Sequence, residues 1–142
     1  MRERREVVDD LRPRAGDDPI RVVTGNPDAR RDYTDVRDVV RAYRLLADRG
    51  EPGALNVCSG RSASAGELVA ALGEVAGVAI DHAVDPRLLR PHEVMEVRGS
   101  ARRLHEATGW APEIPLETTL ADSVDWWRAE LRAGRAGAAA HE

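Results

Sequence analysis

Lysine and phenylalanine are absent from this sequence of 142 residues, and cysteine occurs once, as Cys58. Without lysine the chain has no P-loop, no Schiff-base lysine and no Tyr-x-x-x-Lys catalytic pair. Arginine stands at every position where a strong base is needed, a pattern that fits a GC-rich coding bias and drains meaning from any single arginine. A lone cysteine excludes a disulfide framework and a cysteine metal cluster. The four histidines are scattered without ligand spacing, so no metal site is expected. No apolar run reaches the length of a membrane span, and the opening MRERREVVDD lacks the apolar region of a signal peptide. The expectation is a cytoplasmic protein with no membrane partner.

Hydrophobic residues make up 42% and charged residues 32%, a globular balance rather than a disordered one. With no phenylalanine the core must come from Val, Leu, Ile and Ala, with three tryptophans as the large pieces. The net charge of -4 is spread over mixed acids and bases, which argues against a nucleic-acid partner needing a basic face. The length suits one domain or part of one.

The stretch DARRDYTDVRDVVRAY, Asp28 to Tyr43, organises the rest. Asp35 is a good N-cap, and Asp38 stands where a carboxylate suits the positive end of a helix dipole. Val36, Val39, Val40, Tyr43 and Leu46 fall at helical steps and predict the packed face, with Arg37, Arg41, Arg44 and Asp48 pointing elsewhere. Gly50, Pro52 and Gly53 predict its end. Arg30 and Arg31 lie on the segment feeding the helix, where guanidinium forks can clamp a phosphate bidentately or simply be solvated.

Residues 1–18 read as a charged N-terminal segment broken by Pro13 and Gly16. Ile20 to Thr24 predicts a strand closed by Gly25-Asn26-Pro27, and Ala54 to Cys58 predicts a second strand, so that the helix between them makes a βαβ-like layout of the α/β class. Ser64 and Glu67 form a capping box ahead of a helix ending at Gly77. Val78 to Val84 predicts a half-buried strand that Asp85-Pro86 breaks. Ser100 is placed to cap a short helix ending in Thr108-Gly109-Trp110. In the last helix Leu116, Leu120, Val124, Trp127 and Leu131 predict a packing stripe, with Trp126 and Trp127 as core and rim. Residues 132–142 read as a disordered Ala/Gly/Arg tail.

Taken in order, the motifs are Gly25-Asn26, Ala29 to Val36 (ARRDYTDV), Leu55-Asn56-Val57 with Ser59-Gly60, Leu89-Arg90-Pro91 with Glu93-Val94, and Thr108-Gly109-Trp110 with Pro112 and Ile114-Pro115-Leu116. This series resembles the C-terminal half of the extended short-chain dehydrogenase/reductases, the NAD-dependent epimerase/dehydratase family. Within it the series is most similar to GDP-4-keto-6-deoxy-mannose reductases and GDP-mannose 4,6-dehydratases, and the match runs from about Ile20 to Leu131. The closing segment ATGWAPEIPLETTLADSVDWW looks more like the reductases. One departure is Ser100, where the family usually has aspartate; both residues cap helices.

The resemblance implies the C-terminal portion of a Rossmann-like fold, incomplete on its own, with residues 19–131 as its nucleotide-sugar-binding portion. It implies that Arg31 and Arg90 hold the diphosphate of a GDP-sugar, that Glu93 accepts hydrogen bonds from the ribose, and that Asn26 lies near the nucleotide. Cationic forks and a carboxylate opposite paired hydroxyls suit that ligand. The family's glycine-rich dinucleotide loop, catalytic Ser or Thr and Tyr-x-x-x-Lys pair belong to the other half. Tyr33 is followed four residues later by Arg37, whose permanent charge makes it a poor substitute for lysine. NAD(P) is thus expected in the complete enzyme, with no cofactor and no catalytic residue on this chain alone. The implied partners are a separate or missing N-terminal Rossmann half and a second copy in a homodimer. The alternative is a non-catalytic nucleotide-sugar-binding or interaction module, or a decayed fragment.

Overall fold

In the computed structural model, residues 19–49 and 53–133 are described; segment 1–18, Gly50 and Pro52 of the expected helix stop, and the tail beyond Ala133 lie outside them. The described chain runs β1 (Ile20–Thr24), β2 (Arg30–Asp32), α1 (Val36–Arg49), β3 (Ser62–Ser64), α2 (Ala65–Ala76), β4 (Ile80–Val84), a 3-10 turn (Pro86–Leu88), β5 (Glu96–Val97), α3 (Arg102–Thr108) and α4 (Leu116–Arg132). The α/β class stands, but the pairing differs from the βαβ expectation. β1 lies parallel to β4, from Ile20 opposite Ile80 to Thr24 opposite Val84, and not beside residues 54–58. A second sheet has the order β3-β2-β5, antiparallel on one side of β2 and parallel on the other.

Local chemistry explains the helix starts. The Asp35 carboxylate accepts the Arg37 backbone N–H at 2.8 Å, so it caps α1 as expected. Ser64 and Glu67 make the reciprocal capping box of α2, and Gly77, at φ 68°, ends that helix. For α3 the Ser100 hydroxyl accepts the Arg102 backbone N–H at 3.4 Å, while Ala101 sits at the N-cap itself.

The core corrects the expected helix face. Ala42, Leu104 and Trp110 are fully buried, with Leu45, Leu46, Leu55, Val57 and Ala101 packed on them. Asp38 is also buried, whereas Val36, Val40 and Tyr43 are 69%, 56% and 62% exposed. The packed stripe is therefore Asp38, Ala42 and Leu45-Leu46, one side of a wider apolar arc whose other side faces no described element. Residues 54–57 follow the strand alternation, with Leu55 and Val57 turned to the core and Ala54 and Asn56 exposed, but Cys58 is buried too, and the segment joins no ladder among the described residues. The strand expected over Val78 to Val84 begins only at Ile80, since Val78 N–H bonds back to Gly73 O at the end of α2.

α4 packs on α2, with Leu116, Leu120 and Val124 of its expected stripe half-buried. Its expected stripe stops there. Trp126 and Trp127 are 56% and 49% exposed, and Leu131 is exposed too. α2 ends at Ala76, whose carbonyl accepts from Arg128, and the two indoles stack edge-on with centroids 4.8 Å apart. Both tryptophans are surface residues, contrary to the core-and-rim expectation.

Candidate functional site

β2 and the loop that leads into β5 bring the charged candidates together. Arg30 and Arg31 are strand residues, where the sequence suggested only a lead-in to α1. Their side chains point opposite ways, as strand geometry requires. Arg30 turns toward β3 and α2, donating to Ser62 Oγ and O at 3.2 and 2.7 Å and to Glu67 Oε1 at 3.0 Å. Arg30 thereby ties the capping box to the sheet.

Arg31 turns toward the loop before β5. Its Nη1 donates to the carbonyls of Arg30 and Val94 at 2.7 and 2.9 Å. Its Nη2 stands 3.9 Å from Glu93 Oε1, an ion pair rather than a hydrogen bond. The remaining guanidinium edge, Nε with Nη2, makes no hydrogen bond among the described residues. One nitrogen thus fixes the fork and leaves a donor edge beside a carboxylate.

Asn26 reaches the same loop. Its Nδ2 donates to Met95 Sδ at 3.4 Å, and its Oδ1 accepts from Asp28 N–H at 3.0 Å, an Asx turn that shapes the approach to β2. The loop is seated from below as well, since a Cβ on Gly25 would lie 2.9 Å from Leu88 O. That contact brings the turn after β1 hard against the 3-10 turn. Arg30 N–H bonds to Met95 O at 2.7 Å and continues the registration. The structure therefore gathers Asn26, Arg31 and Glu93 on one edge. Arg90 lies on the same loop, exposed. Neighbouring Arg87 is committed to Asp85, which accepts its Nη2 at 2.7 Å.

Asp32, next to Arg31, fixes the frame. Its carboxylate accepts Ser59 N–H and Oγ at 2.8 and 2.6 Å, Gly60 N–H at 3.0 Å and Gly99 N–H at 3.2 Å. Burial works to raise its pKa, but the hydrogen bonds from Ser59, Gly99 and Gly60 outweigh that and hold it below the usual carboxylate value. Burial, and then the Asp32 charge, push the nearby Cys58 thiol up, which leaves it a packing residue. On the far side of β2, side-chain hydrogen bonds from Arg37, with Thr119 of α4 adding another, hold Asp35 well below the carboxylate range against burial.

A cleft of about 490 Å³ opens between β3, α2 and the start of α4, lined by Tyr33, Thr34, Ala63, Leu68, Ile114 and Leu120 among others. None of Asn26, Arg31, Arg90 and Glu93 lines it. Its wall is largely apolar in area and carries Arg61 alongside the carboxylates of Asp35, Glu113 and Glu117, whereas the charged edge offers two arginines, so the charged edge is the candidate site. Sequence reasoning missed the Val94 carbonyl and Met95 as its supports, because a backbone acceptor leaves no residue signature.

The family profile described as GDP-mannose 4,6 dehydratase matches residues 11–123. GDP-6-deoxy-D-mannose reductase of Pseudomonas aeruginosa is 41% identical over 113 residues, which cover 79% of this chain and 37% of that protein. Among solved structures, RMD from Pseudomonas aeruginosa complexed with NADPH is 40% identical with a TM-score of 0.71, over 78% of this chain and 36% of that one. UDP-glucose 4-epimerase of Thermotoga maritima, solved with UDP-glucose, is 28% identical with a TM-score of 0.71, over 80% of this chain and 36% of that one. The chain spans roughly a third of the length of these relatives, at 36 to 37%.

Proposed function

Since the chain belongs to the GDP-mannose 4,6 dehydratase family, we propose that it supplies the nucleotide-sugar-binding portion of an NAD(P)-dependent GDP-4-keto-6-deoxy-mannose reductase or GDP-mannose 4,6-dehydratase. The reductase is the stronger of the two, on the identity to the Pseudomonas protein and the Thr108-Gly109-Trp110 to Trp127 segment. The observation that carries the reading is Arg31: two carbonyls hold its guanidinium through Nη1, and the open edge stands beside Glu93 with Asn26 on the same loop. A diphosphate takes a fork of that kind bidentately, a second cation from Arg90 closes on the other side, and Glu93 accepts from ribose hydroxyls.

A nicotinamide dinucleotide fits these residues poorly. Its pyrophosphate needs glycine-rich backbone at a free helix N-terminus, whereas α1 and α2 begin with their own carboxylates, Asp35 and Glu67. Hydride transfer at the sugar therefore belongs to the rest of the enzyme, and this chain orients the substrate through its diphosphate.

Calorimetric titration of the full chain with GDP tests the reading. Saturable binding that Arg31→Ala weakens by about tenfold to a hundredfold supports it, the loss expected for charge-assisted hydrogen bonds. A folded chain that binds no GDP refutes it. Equal affinity for UDP would move the base assignment without moving the diphosphate site.

A further inference from the structure

Methionine occurs twice in the sequence, at Met1 and Met95, and only Met95 lies among the described residues. It stands on the loop before β5, directly after Glu93 and Val94, and is 50% exposed. Its thioether is engaged: Asn26 Nδ2 donates to Sδ at 3.4 Å, in a contact that is itself open to solvent. The other described sulfur, Cys58, is buried, and burial pushes its thiol away from the reactive thiolate. Oxidation follows exposure, so a peroxide meets Met95 before Cys58.

The main chain around Met95 carries the charged edge. Its carbonyl accepts Arg30 N–H at 2.7 Å, and the Val94 carbonyl accepts Arg31 Nη1 at 2.9 Å. On the far side of the sulfur, Asn26 Oδ1 accepts Asp28 N–H at 3.0 Å. The amide that touches Met95 thus also shapes the turn into β2, and the sulfur contact links the two segments that frame Arg31.

Oxidation breaks that link whichever lone pair of the sulfur reacts. With hydrogen peroxide, an Sδ lone pair forms the S–O bond as the O–O bond breaks, and the leaving hydroxide takes the proton of the transferred oxygen to become water. Sulfur is oxidised by two electrons to the sulfoxide, and the peroxide is reduced by the same two. An oxygen added on the side facing Asn26 has no room within a 3.4 Å contact, so the amide and the sulfur must part. Added on the other side, it leaves a sulfur with partial positive charge, which no longer accepts an N–H. Either way a flexible apolar side chain becomes polar beside Asn26.

We infer that Met95 is an oxidation site whose sulfoxide releases Asn26 and weakens nucleoside diphosphate binding at the charged edge, an inference that rests on the proposed function for its ligand. Methionine sulfoxide reductases, one for each epimer, would restore the thioether and the contact.

The test treats the full chain with hydrogen peroxide and locates the added oxygen by peptide mapping. GDP affinity is measured by calorimetry before treatment, after it, and after repair by the two reductases. The Asn26 side-chain NH₂ resonances are followed without ligand in ¹⁵N–¹H spectra. Met95 is expected to gain one oxygen and the Asn26 resonances to move. GDP affinity is expected to fall by about threefold to tenfold, the loss of one neutral hydrogen bond, and to return on repair. Met95→Leu, a swap that conserves volume, is expected to show one GDP affinity before and after peroxide. An oxidised Met95 that leaves the Asn26 resonances and GDP affinity unmoved overturns the inference while the proposed function stands. So does an equal peroxide-induced loss in Met95→Leu, or a Met95 that resists peroxide in a chain that binds GDP. An untreated chain that binds no GDP overturns the proposed function, and the effect on binding with it.

Discussion

Asp38 and Ile114 are joined across the molecule: the buried Asp38 carboxylate accepts the backbone N–H of Ile114 at 3.0 Å, and that of Glu113 at the same distance. The same carboxylate takes Arg41 Nη2 at 2.7 Å, and the Asp38 carbonyl accepts Trp110 Nε1 at 2.9 Å. One residue in the first turn of α1 therefore positions the whole segment between α3 and α4. Asp38→Ala should destabilise the chain by about 1 to 3 kcal/mol, since it leaves two part-buried N–H groups and the Arg41 guanidinium without their acceptor. Urea unfolding would show this as a lowered midpoint; a midpoint equal to wild type would mean that the segment holds itself.

Acid should loosen the frame through Asp32. Its folded pKa lies below the ordinary value of 3.8, so its stabilising contribution is complete above that pH and is lost as the pH falls toward the folded value. Asp35, depressed further, extends the loss to lower pH. Asp32→Asn keeps the shape but turns an amide NH₂ toward N–H donors. It should lower stability at pH 7 by about 1 to 3 kcal/mol and flatten the decline below pH 4. Thermal melts of both proteins between pH 2 and pH 7 compare the two slopes, and parallel profiles would exclude Asp32 as a source of acid sensitivity.

Arg30 and Arg31 should separate cleanly. Arg31→Ala is expected to cost GDP affinity with little change in melting temperature, because its Nη1 reaches only main-chain carbonyls, that of Val94 in the loop before β5 at an exposed contact. Arg30→Ala should do the opposite, lowering the melting temperature through Ser62 and Glu67 while GDP affinity holds. If Arg30→Ala were the variant that lost affinity, the assignment of the two side chains would be reversed.

Gly99 has no room for a side chain: a Cβ there would lie 2.6 Å from Cys58 Sγ and 3.0 Å from Cys58 Cβ. Gly99→Ala should destabilise by about 1 to 3 kcal/mol, and Cys58→Ala should recover part of that loss, giving a favourable coupling in a double-mutant cycle. Additive effects would place the strain elsewhere.

What the sequence made legible was local or ordered. The Ser64–Glu67 capping box and the Asp35 cap are read within four residues, and both form as expected. Motif order singled out Arg31 and Glu93 separately, but their ion pair was not legible, since nothing in a spacing of 62 positions signals a contact. β2, β3 and β5 escaped because each has only two or three residues, mostly polar, and exists through partners far along the chain. The role of Asp38 was hidden for the same reason: its acceptors' partners lie 75 and 76 residues away. On α1 periodicity picked Val36, Val40 and Tyr43, which stand exposed, and passed over Asp38, Ala42 and Leu45, which the fold packs, because period alone does not say which side of a helix meets a partner. Trp126 and Trp127 were misread by the same logic, since a stripe on α4 packs only as far as α2 extends beside it.

The central claim is that the edge formed by Asn26, Arg31 and the Glu93 loop holds a nucleoside diphosphate. The most direct measurement is a two-dimensional ¹⁵N–¹H titration of the full chain with GDP. Saturable shifts are expected at Asn26, Arg31, Glu93, Val94 and Met95, with residues of the cleft such as Leu68 and Leu120 unmoved. Shifts confined to the cleft, or none from a well-dispersed spectrum, would contradict it.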